Sequence, residues 1–306
     1  MKYVVTGGAG FIGNNIVKLL IKKGHNVDII DNLHTGEKEN LNEVIDKVNF
    51  YQIDIRNKKD LENSIKNCDG IFHEAALTAV PESFEKPKEY HDVNVIGTRN
   101  IFEIAEKEDI RVVYASSSSI YGDSKSIPIK ENAEKKPINP YGQTKLDDEF
   151  LAEKFSKNNL SVIGLRYFNV YGIGQIGSYA GVITKFLENI KNQKPFIING
   201  NGNQIRDFIH VKDIAQANVI AMESKIKNGF FNIGTRIPTS INKLSKLMIE
   251  IANHKHETIY GPQLEGDVDI SQADMQFTNK SFNWSHKINL QDGLRDLIKN
   301  YLSLNS

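Results

Sequence analysis

Several residue types are scarce in this 306-residue chain, and each scarcity closes a class of explanation. A single cysteine, Cys68, cannot form an intrachain disulfide, so the expectation is a reducing, cytoplasmic setting. Neither sign of charge is in excess: 38 basic side chains meet 38 acidic ones, for a net charge of zero and a pI near 7.1. A dedicated nucleic-acid binder normally carries a basic excess, so no nucleic-acid partner is expected. No apolar run approaches the ~18 residues of a membrane span, so no membrane partner is expected. With an apolar strand already under way at Lys2, no targeting segment is expected either. Arginine is the scarcest charged residue, seven against 31 lysines, so an arginine inside a motif is more informative than a lysine there. What remains is ordinary for a folded protein: 40% hydrophobic residues, a mean hydropathy of −0.39, and length enough for one large α/β domain or two sharing a cleft.

The first half alternates short apolar runs with amphipathic stretches. Val4-Val5, Val27–Ile30, Val48–Phe50, Gly70–Phe72, Val112–Tyr114 and Val162–Leu165 read as strands. Between the first two, Ile12, Ile16, Leu19 and Leu20 share a helical face that Gly24 ends. Further helices are expected near 57–66, 88–107 and 141–158, and repeated β-α units imply a doubly wound parallel sheet. After about residue 168 the texture changes. Gly172, Gly174 and Gly177 mark a long loop, a helix is expected near 180–191, and Asn201-Gly202 reads as a hairpin turn. The expected division is residues 1–168 for a nucleotide-binding domain and mainly 169–306 for a smaller lobe, with some elements returning to the first.

Thr6-Gly7-Gly8-Ala9-Gly10-Phe11-Ile12-Gly13 joins the first strand to the first helix. Glycine there allows a tight turn and close approach of backbone N–H groups to a pyrophosphate, at a helix N-terminus whose dipole favours an anion. Asp31 ends the second strand 23 residues after Gly8. A carboxylate in that place bonds a ribose 2′-hydroxyl and repels a 2′-phosphate, which favours NAD over NADP. Asp54, ending the third strand, is placed to reach the adenine side.

Tyr141 and Lys145, four residues apart, share a face on a helix; a phenol there serves as acid or base, and the ammonium favours its phenolate form. The spacing alone proves little. With 11 tyrosines and 31 lysines, chance supplies about one such pair, and the chain has a second, Tyr121 and Lys125. Tyr121 precedes Gly122-Asp123-Ser124 and sits in a turn-rich stretch, whereas Tyr141 opens a continuous helical pattern after Asn139-Pro140. A serine run, Ser116 to Ser119, follows the Val112–Tyr114 strand and can bring a hydroxyl to the same centre. The combination selects Tyr141 and Lys145.

Taken together, Thr6–Gly13, Asp31, Asp54, His73-Glu74-Ala75-Ala76, Asn94–Thr98, Ser116–Gly122 and Tyr141–Lys145 resemble the extended short-chain dehydrogenase/reductase family. Leu165–Gly172 and Gly200–Phe208 are similar to its nucleotide-sugar branch, the NAD-dependent UDP-sugar 4-epimerases in particular, and the likeness runs from Lys2 to about Leu302. It implies a Rossmann-like doubly wound sheet with a smaller mixed α/β substrate-binding lobe. Tyr141 is then the base at the sugar 4-hydroxyl while hydride passes from C4 to NAD⁺. Lys145 holds the nicotinamide ribose, Ser117 bonds the 4-oxygen, and a transient 4-keto sugar takes hydride back on its other face. Contacts to NAD are implied for Gly7, Gly10, Phe11, Ile12, Gly13, Asp31, Asn32, Asp54, Ile55, Ala75, Ala76, Asn94, Ser116, Tyr141, Lys145 and Tyr167. Contacts to substrate are implied for Thr78, Ser117, Ser118, Tyr141, Asn169, Val182, Ile197, Arg206, Asp267 and Ser271.

The same resemblance narrows the reaction. Related 4,6-dehydratases carry Thr-Asp-Glu where this chain has Ser117-Ser118-Ser119, and UDP-glucuronate decarboxylases carry Glu at Ser119; serine cannot replace a carboxylic acid in those steps. The expected substrates are UDP-glucose and UDP-galactose, with room beside the small Ser271 for the N-acetylated pair. UDP-glucuronate 4-epimerisation or another nucleotide-sugar reaction is the alternative, and a non-catalytic NAD-sensing protein a more distant one. Leu264 stands where a second diphosphate-binding arginine is expected, a loss worth ~1.5–3 kcal/mol of charge-assisted bonding. A homodimer through helices 88–107 and 141–158 is implied as well. No metal site is expected, since Leu77 occupies the second histidine position after His73-Glu74 and His254 and His256 lack partners at ligand spacing. Asp147-Asp148-Glu149 reads as a solvated helix face.

Overall fold

In the computed structural model, which describes residues 1–175, 181–263 and 268–303, the apolar runs of the first half become one parallel sheet. Its strands are β1 (Lys2–Thr6), β2 (Asn26–Asp31), β3 (Val48–Gln52), β4 (Gly70–His73), β5 (Arg111–Ser117) and β6 (Val162–Tyr167). The remaining strands are β7 (Asn169–Tyr171), β8 (Ile197–Asn199), β9 (Ile205–His210), β10 (Gly229–Ile233), β11 (Pro238–Ser240) and β12 (Ile259–Gly261). The helices are α1 (Phe11–Lys22), α2 (Lys58–Ser64), α3 (Val80–Glu85), α4 (Pro87–Tyr90), α5 (Gly97–Lys107) and α6 (Pro140–Lys157). They continue with α7 (Val182–Lys191), α8 (Val211–Glu223), α9 (Ile241–Ala252), α10 (Gln276–Phe282) and α11 (Leu290–Ser303).

The main sheet runs β3-β2-β1-β4-β5-β6-β10, the Rossmann order with one strand added at the far edge. Both faces are covered, which is why its strands are apolar without alternation: Val5 packs into one core cluster with Ile16, Leu20 and Ile214, and neighbouring Val4 into the other with Ile71, Ile101 and Phe102. Strand order reverses between β1 and β4, so a crevice opens beyond their carboxyl ends, between the loops that follow Thr6 and His73. α1 ends at Lys22 with Gly24 at φ +80°, His25 N donating to Leu20 O at 3.1 Å and Gly24 N to Ile21 O at 3.0 Å. The chain leaves the sheet after Tyr167 and returns to it at β10, with α8 packed on α1. The smaller lobe holds β11-β9-β7 and the pair β12-β8 around a third core cluster that includes Phe186, Phe196, Leu244 and Leu297.

Two expectations are corrected here. The Asn201-Gly202 turn closes no hairpin, because β8 pairs in parallel with β12 while β9 lies between β7 and β11. The turn packs on α9 instead, where Asn242 N donates to Gly202 O at 2.9 Å. The helix expected over 88–107 is not uniform: between α4 and α5 the segment His91–Ile96 is π-helical.

Candidate active site

The turn after β1 has Gly7 at φ +67°, and a side chain on it would stand 2.7 Å from Ala75 N, in the loop after β4. A Cβ on Gly13 would run into the Gly7 carbonyl. Glycine at both places therefore lets the turn, the start of α1 and the β4 loop close together, and Gly10 caps α1 without any side-chain bond to its free N–H groups. Asp31 is buried beside this turn, with Oδ2 accepting Ala9 N–H at 2.9 Å and Oδ1 accepting Leu33 N–H at 2.8 Å. Burial pushes its carboxyl up and the two N–H bonds oppose that. Gly7, Gly10, Phe11, Ile12, Gly13, Asp31, Asn32, Ile55, Ala75 and Ala76 all line this groove, with Thr78 at its end.

The groove opens into a second cavity, sharing Phe11, Ile12, Glu74, Ala76 and Thr78 with it. β5 delivers Ser116 and Ser117 to its wall, α6 delivers Tyr141 and Lys145, and Tyr167, Asn169 and Val182 complete it. α6 begins where it does because Asn139 accepts Gly142 N–H at 2.7 Å and Pro140 fills its first turn. Ser117 Oγ accepts Ser119 N–H and donates to Ser119 Oγ, each at 3.1 Å, which fixes its place in the wall. Lys145 is buried and its Nζ donates to Ala115 O at 3.0 Å and to Asp148 Oδ2 at 3.3 Å.

The second Tyr-x-x-x-Lys pair is elsewhere. The Tyr121 hydroxyl is buried, accepting from Arg166 at 2.7 Å and donating to Asn232 Oδ1 at 2.7 Å, while Lys125 lies exposed in a loop. Arg166 also makes a two-pronged bond with Glu149, at 2.7 and 2.8 Å, and donates to Glu131 O. The acidic run is thus a correction: Asp148 and Glu149 are 0% exposed, because α6 turns them toward β5 and β6 beneath the cavity. The i, i+4, i+7 spacing of Tyr141, Lys145 and Asp148 was the available signal, one face rather than a charge run.

Other residues named from the sequence are placed differently. Asn94 is fully buried, its amide accepting Leu77 N–H at 2.8 Å and donating to Leu77 O and Thr144 Oγ1 at 3.0 Å, so it ties the β4 loop to α6 and lines neither cavity. Asp54 is held by Arg56 through two bonds of 2.9 and 2.7 Å and by Asn32 at 3.0 Å; Arg56 pulls its carboxyl down to about 2, and only its neighbours Ile53 and Ile55 reach the groove. The Ser116 hydroxyl donates to Glu149 at 2.8 Å, and Ser118 starts a short turn off the cavity wall. Ile197 is 58% exposed on β8, away from both cavities. Arg206 and Ser271 are buried and line neither cavity; Ser271 N donates to Ile205 O at 3.0 Å, beside Arg206 in sequence. Asp267 and Leu264 lie outside the described residues.

Sequence reasoning missed Glu74. Weighed only as half of a metal motif, it borders both cavities, with Oε1 accepting from the Tyr167 hydroxyl at 3.0 Å and Oε2 buried without a partner. Burial raises its carboxyl to about 8. The available signal was a carboxylate one residue beyond a strand end at the reversal of strand order. Its neighbour His73 is held neutral by burial, lowered to about 3, between Thr6 Oγ1 at 2.7 Å and Thr98 Oγ1 at 2.9 Å.

Known proteins share the fold and much of the sequence. UDP-glucose 4-epimerase from Thermotoga maritima, solved with UDP-glucose, superimposes with a TM-score of 0.95 at 34% identity and covers 100% of both chains. UDP-N-acetylglucosamine 4-epimerase from Methanobrevibacter ruminantium, solved with UDP-N-acetylmuramic acid, gives 0.95 and 34% over 99% of this chain and 98% of that one. UDP-glucose 4-epimerase of Lactobacillus helveticus is 31% identical over 94% of this chain and 92% of its own. A sequence model of one family matches residues 3–234, and the chain belongs to that family, the NAD-dependent epimerases and dehydratases.

Proposed function

We propose that this protein is an NAD-dependent 4-epimerase of UDP-hexoses, acting on UDP-glucose and UDP-galactose and extending to their N-acetylated counterparts. The observation that carries the reading is the single cavity into which Ser117, Tyr141 and Lys145 converge, continuous with the glycine-loop groove. That groove suits NAD: glycine at 7 and 13 lets the turn, the start of α1 and the β4 loop close around it, and the N-terminus of α1 and Asp31 offer partners for a pyrophosphate and a ribose hydroxyl. NAD supplies, when bound, the two-electron acceptor and donor at sugar C4. Tyr141 takes the proton of the 4-hydroxyl and returns it once the 4-keto sugar presents its other face, Ser117 bonds the 4-oxygen, and Lys145 favours the phenolate. Asn169, on the cavity wall, holds the diphosphate, and the sequence resemblance adds Arg206, which is buried on β9. The serines at 117, 118 and 119 supply no carboxyl for proton transfer at C5 or C6 from the positions where related dehydratases and decarboxylases carry one, which favours epimerisation over dehydration or decarboxylation. We further infer a homodimer through the α4–α5 and α6 helices.

Purified protein is to be incubated separately with UDP-galactose, UDP-N-acetylglucosamine and UDP-glucuronate and the products resolved. The expected result is C4 epimers of the first two; turnover of UDP-glucuronate alone selects the uronate reading, and bound NAD without turnover of any of the three sinks the enzyme. Ser271 is buried off the cavity wall, so the room expected beside it is tested by Ser271→Tyr: a fall of at least about tenfold in activity on the N-acetylated sugar relative to the plain one supports it, and an unchanged ratio discards it.

A further inference from the structure

Asp148 is a carboxyl shut away from solvent, with one oxygen short of a hydrogen-bond partner. It is 0% exposed, two helical turns along α6 from Tyr141 and on the same face, with Lys145 between them. Its Oδ2 is 3.3 Å from Lys145 Nζ, and its Oδ1 is buried with no hydrogen-bond partner. The groups facing it can be named element by element. From α5 comes the Thr98 hydroxyl, behind which stands the neutral His73 of β4, 2.9 Å from Thr98 and 2.7 Å from Thr6 on β1. From β5 comes Tyr114, whose buried hydroxyl also lacks a partner. On α6 itself Asp147 adds like charge, while Glu149 is committed to Arg166 of β6 and to Lys135 at 3.1 Å. Lys145 is therefore the cation that addresses Asp148 directly.

We propose that Asp148 is a positioning residue for the Tyr141–Lys145 pair: with its carboxyl neutral the ammonium acts on the phenol uncompensated, and with it ionised the two charges pair and the phenol loses that support. Geometry places the switch where it matters, since the same ammonium bonds Asp148 and lines the reacting cavity. Burial, opposed by Lys145 and Thr98, raises the Asp148 carboxyl to about 7, so the change of state falls near neutrality. As pH rises through that point the carboxylate forms, and phenolate formation is held back toward higher pH. The inference rests on the proposed roles of Tyr141 and Lys145.

The test uses Asp148→Asn, which keeps the shape and cannot ionise. Phenolate absorbance is titrated in the folded protein, with Tyr141→Phe as the baseline that isolates this one tyrosine. Asp148→Asn is expected to move that titration and the acidic limb of the kcat profile to lower pH by on the order of one unit, with KM little changed. Coincident titrations in folded wild type and Asp148→Asn overturn the proposal, since a purely structural residue would lower stability without moving the phenol. A second measurement needs no change at Asp148: in a Glu74→Gln background, the infrared band of a buried protonated carboxyl should vanish as pH rises through neutrality. A carboxylate ionised across the whole range overturns the proposal equally. If Tyr141→Phe retains turnover, the assignment of the base fails instead, and the phenolate titration still reports whether Asp148 and Tyr141 are coupled.

Discussion

Tyr121 and Tyr141 have the same spacing to a lysine and opposite surroundings. The Tyr121 hydroxyl joins Arg166 to Asn232 in the core, and burial pushes it further from ionisation, whereas Tyr141 looks into a cavity beside Lys145. Removing the Tyr121 hydroxyl leaves two buried polar partners short of a bond. Tyr121→Phe is expected to cost about 1–3 kcal/mol in a urea titration while the folded enzyme turns over within about threefold of wild type. Tyr141→Phe is expected to do the reverse, losing at least about a hundredfold in kcat with little change in stability. A Tyr121 variant that folds normally but fails in turnover would exchange the two roles. The pair was legible in the sequence because turn residues flank one tyrosine and an N-cap with proline precedes the other. Burial was not: the three acids 147–149 are alike in the sequence, and only the helix face separates half-buried Asp147 from fully buried Asp148 and Glu149.

At the scale of elements, the strand order and its crevice followed from apolar runs and a glycine turn, since a parallel sheet covered on both faces needs both. The hairpin at Asn201-Gly202 did not survive, because a turn signal fixes local backbone and says nothing of which strands find edges to pair with. The end of β4 was opaque for another reason: His73 and Glu74 have chemistry only through Thr6, Thr98 and Tyr167, which are distant in sequence. That layer has a pH signature. Folded His73 stays neutral down to about 3, whereas an unfolded histidine binds a proton near 6.5, so the unfolded chain takes up the proton first. Its contribution is intact above about 6.5 and is lost as pH falls toward 3. Glu74 and Asp148, raised to about 8 and about 7, act with the opposite sign: their unfolded carboxyls ionise first, so the fold weakens as pH climbs from their ordinary values of 4.5 and 3.8 toward about 8 and about 7, and no further above them. His73→Asn, which keeps a polar group between the two threonines, is expected to flatten the acid limb of unfolding midpoint against pH; an unchanged limb would assign acid lability to other groups.

At the scale of the whole molecule, the cofactor groove and the reacting cavity occupy the carboxyl ends of the sheet, and α6 links them to an outer flank. On that flank Phe150 of α6 is 55% exposed, and Phe84 of α3, which packs on α6, is 45% exposed. Single exposed aromatics need no explanation, but two on adjoining helices that also hold Tyr141 and Lys145 suit a face covered by a second copy. A stable homodimer buries about 800 Å² of each partner, so the face has to extend beyond these two aromatics along α6. Phe150→Glu places a charge in the middle of that face and is expected to convert a dimer to monomer in sedimentation velocity, without altering the isolated fold. Because α6 positions Tyr141 and Lys145 on its opposite side, the monomer is also expected to bind NAD yet turn over more slowly, as the helix loses its outer support. A Phe150→Glu protein that sediments as wild type would place the interface elsewhere, and wild type sedimenting as a monomer would remove the homodimer altogether.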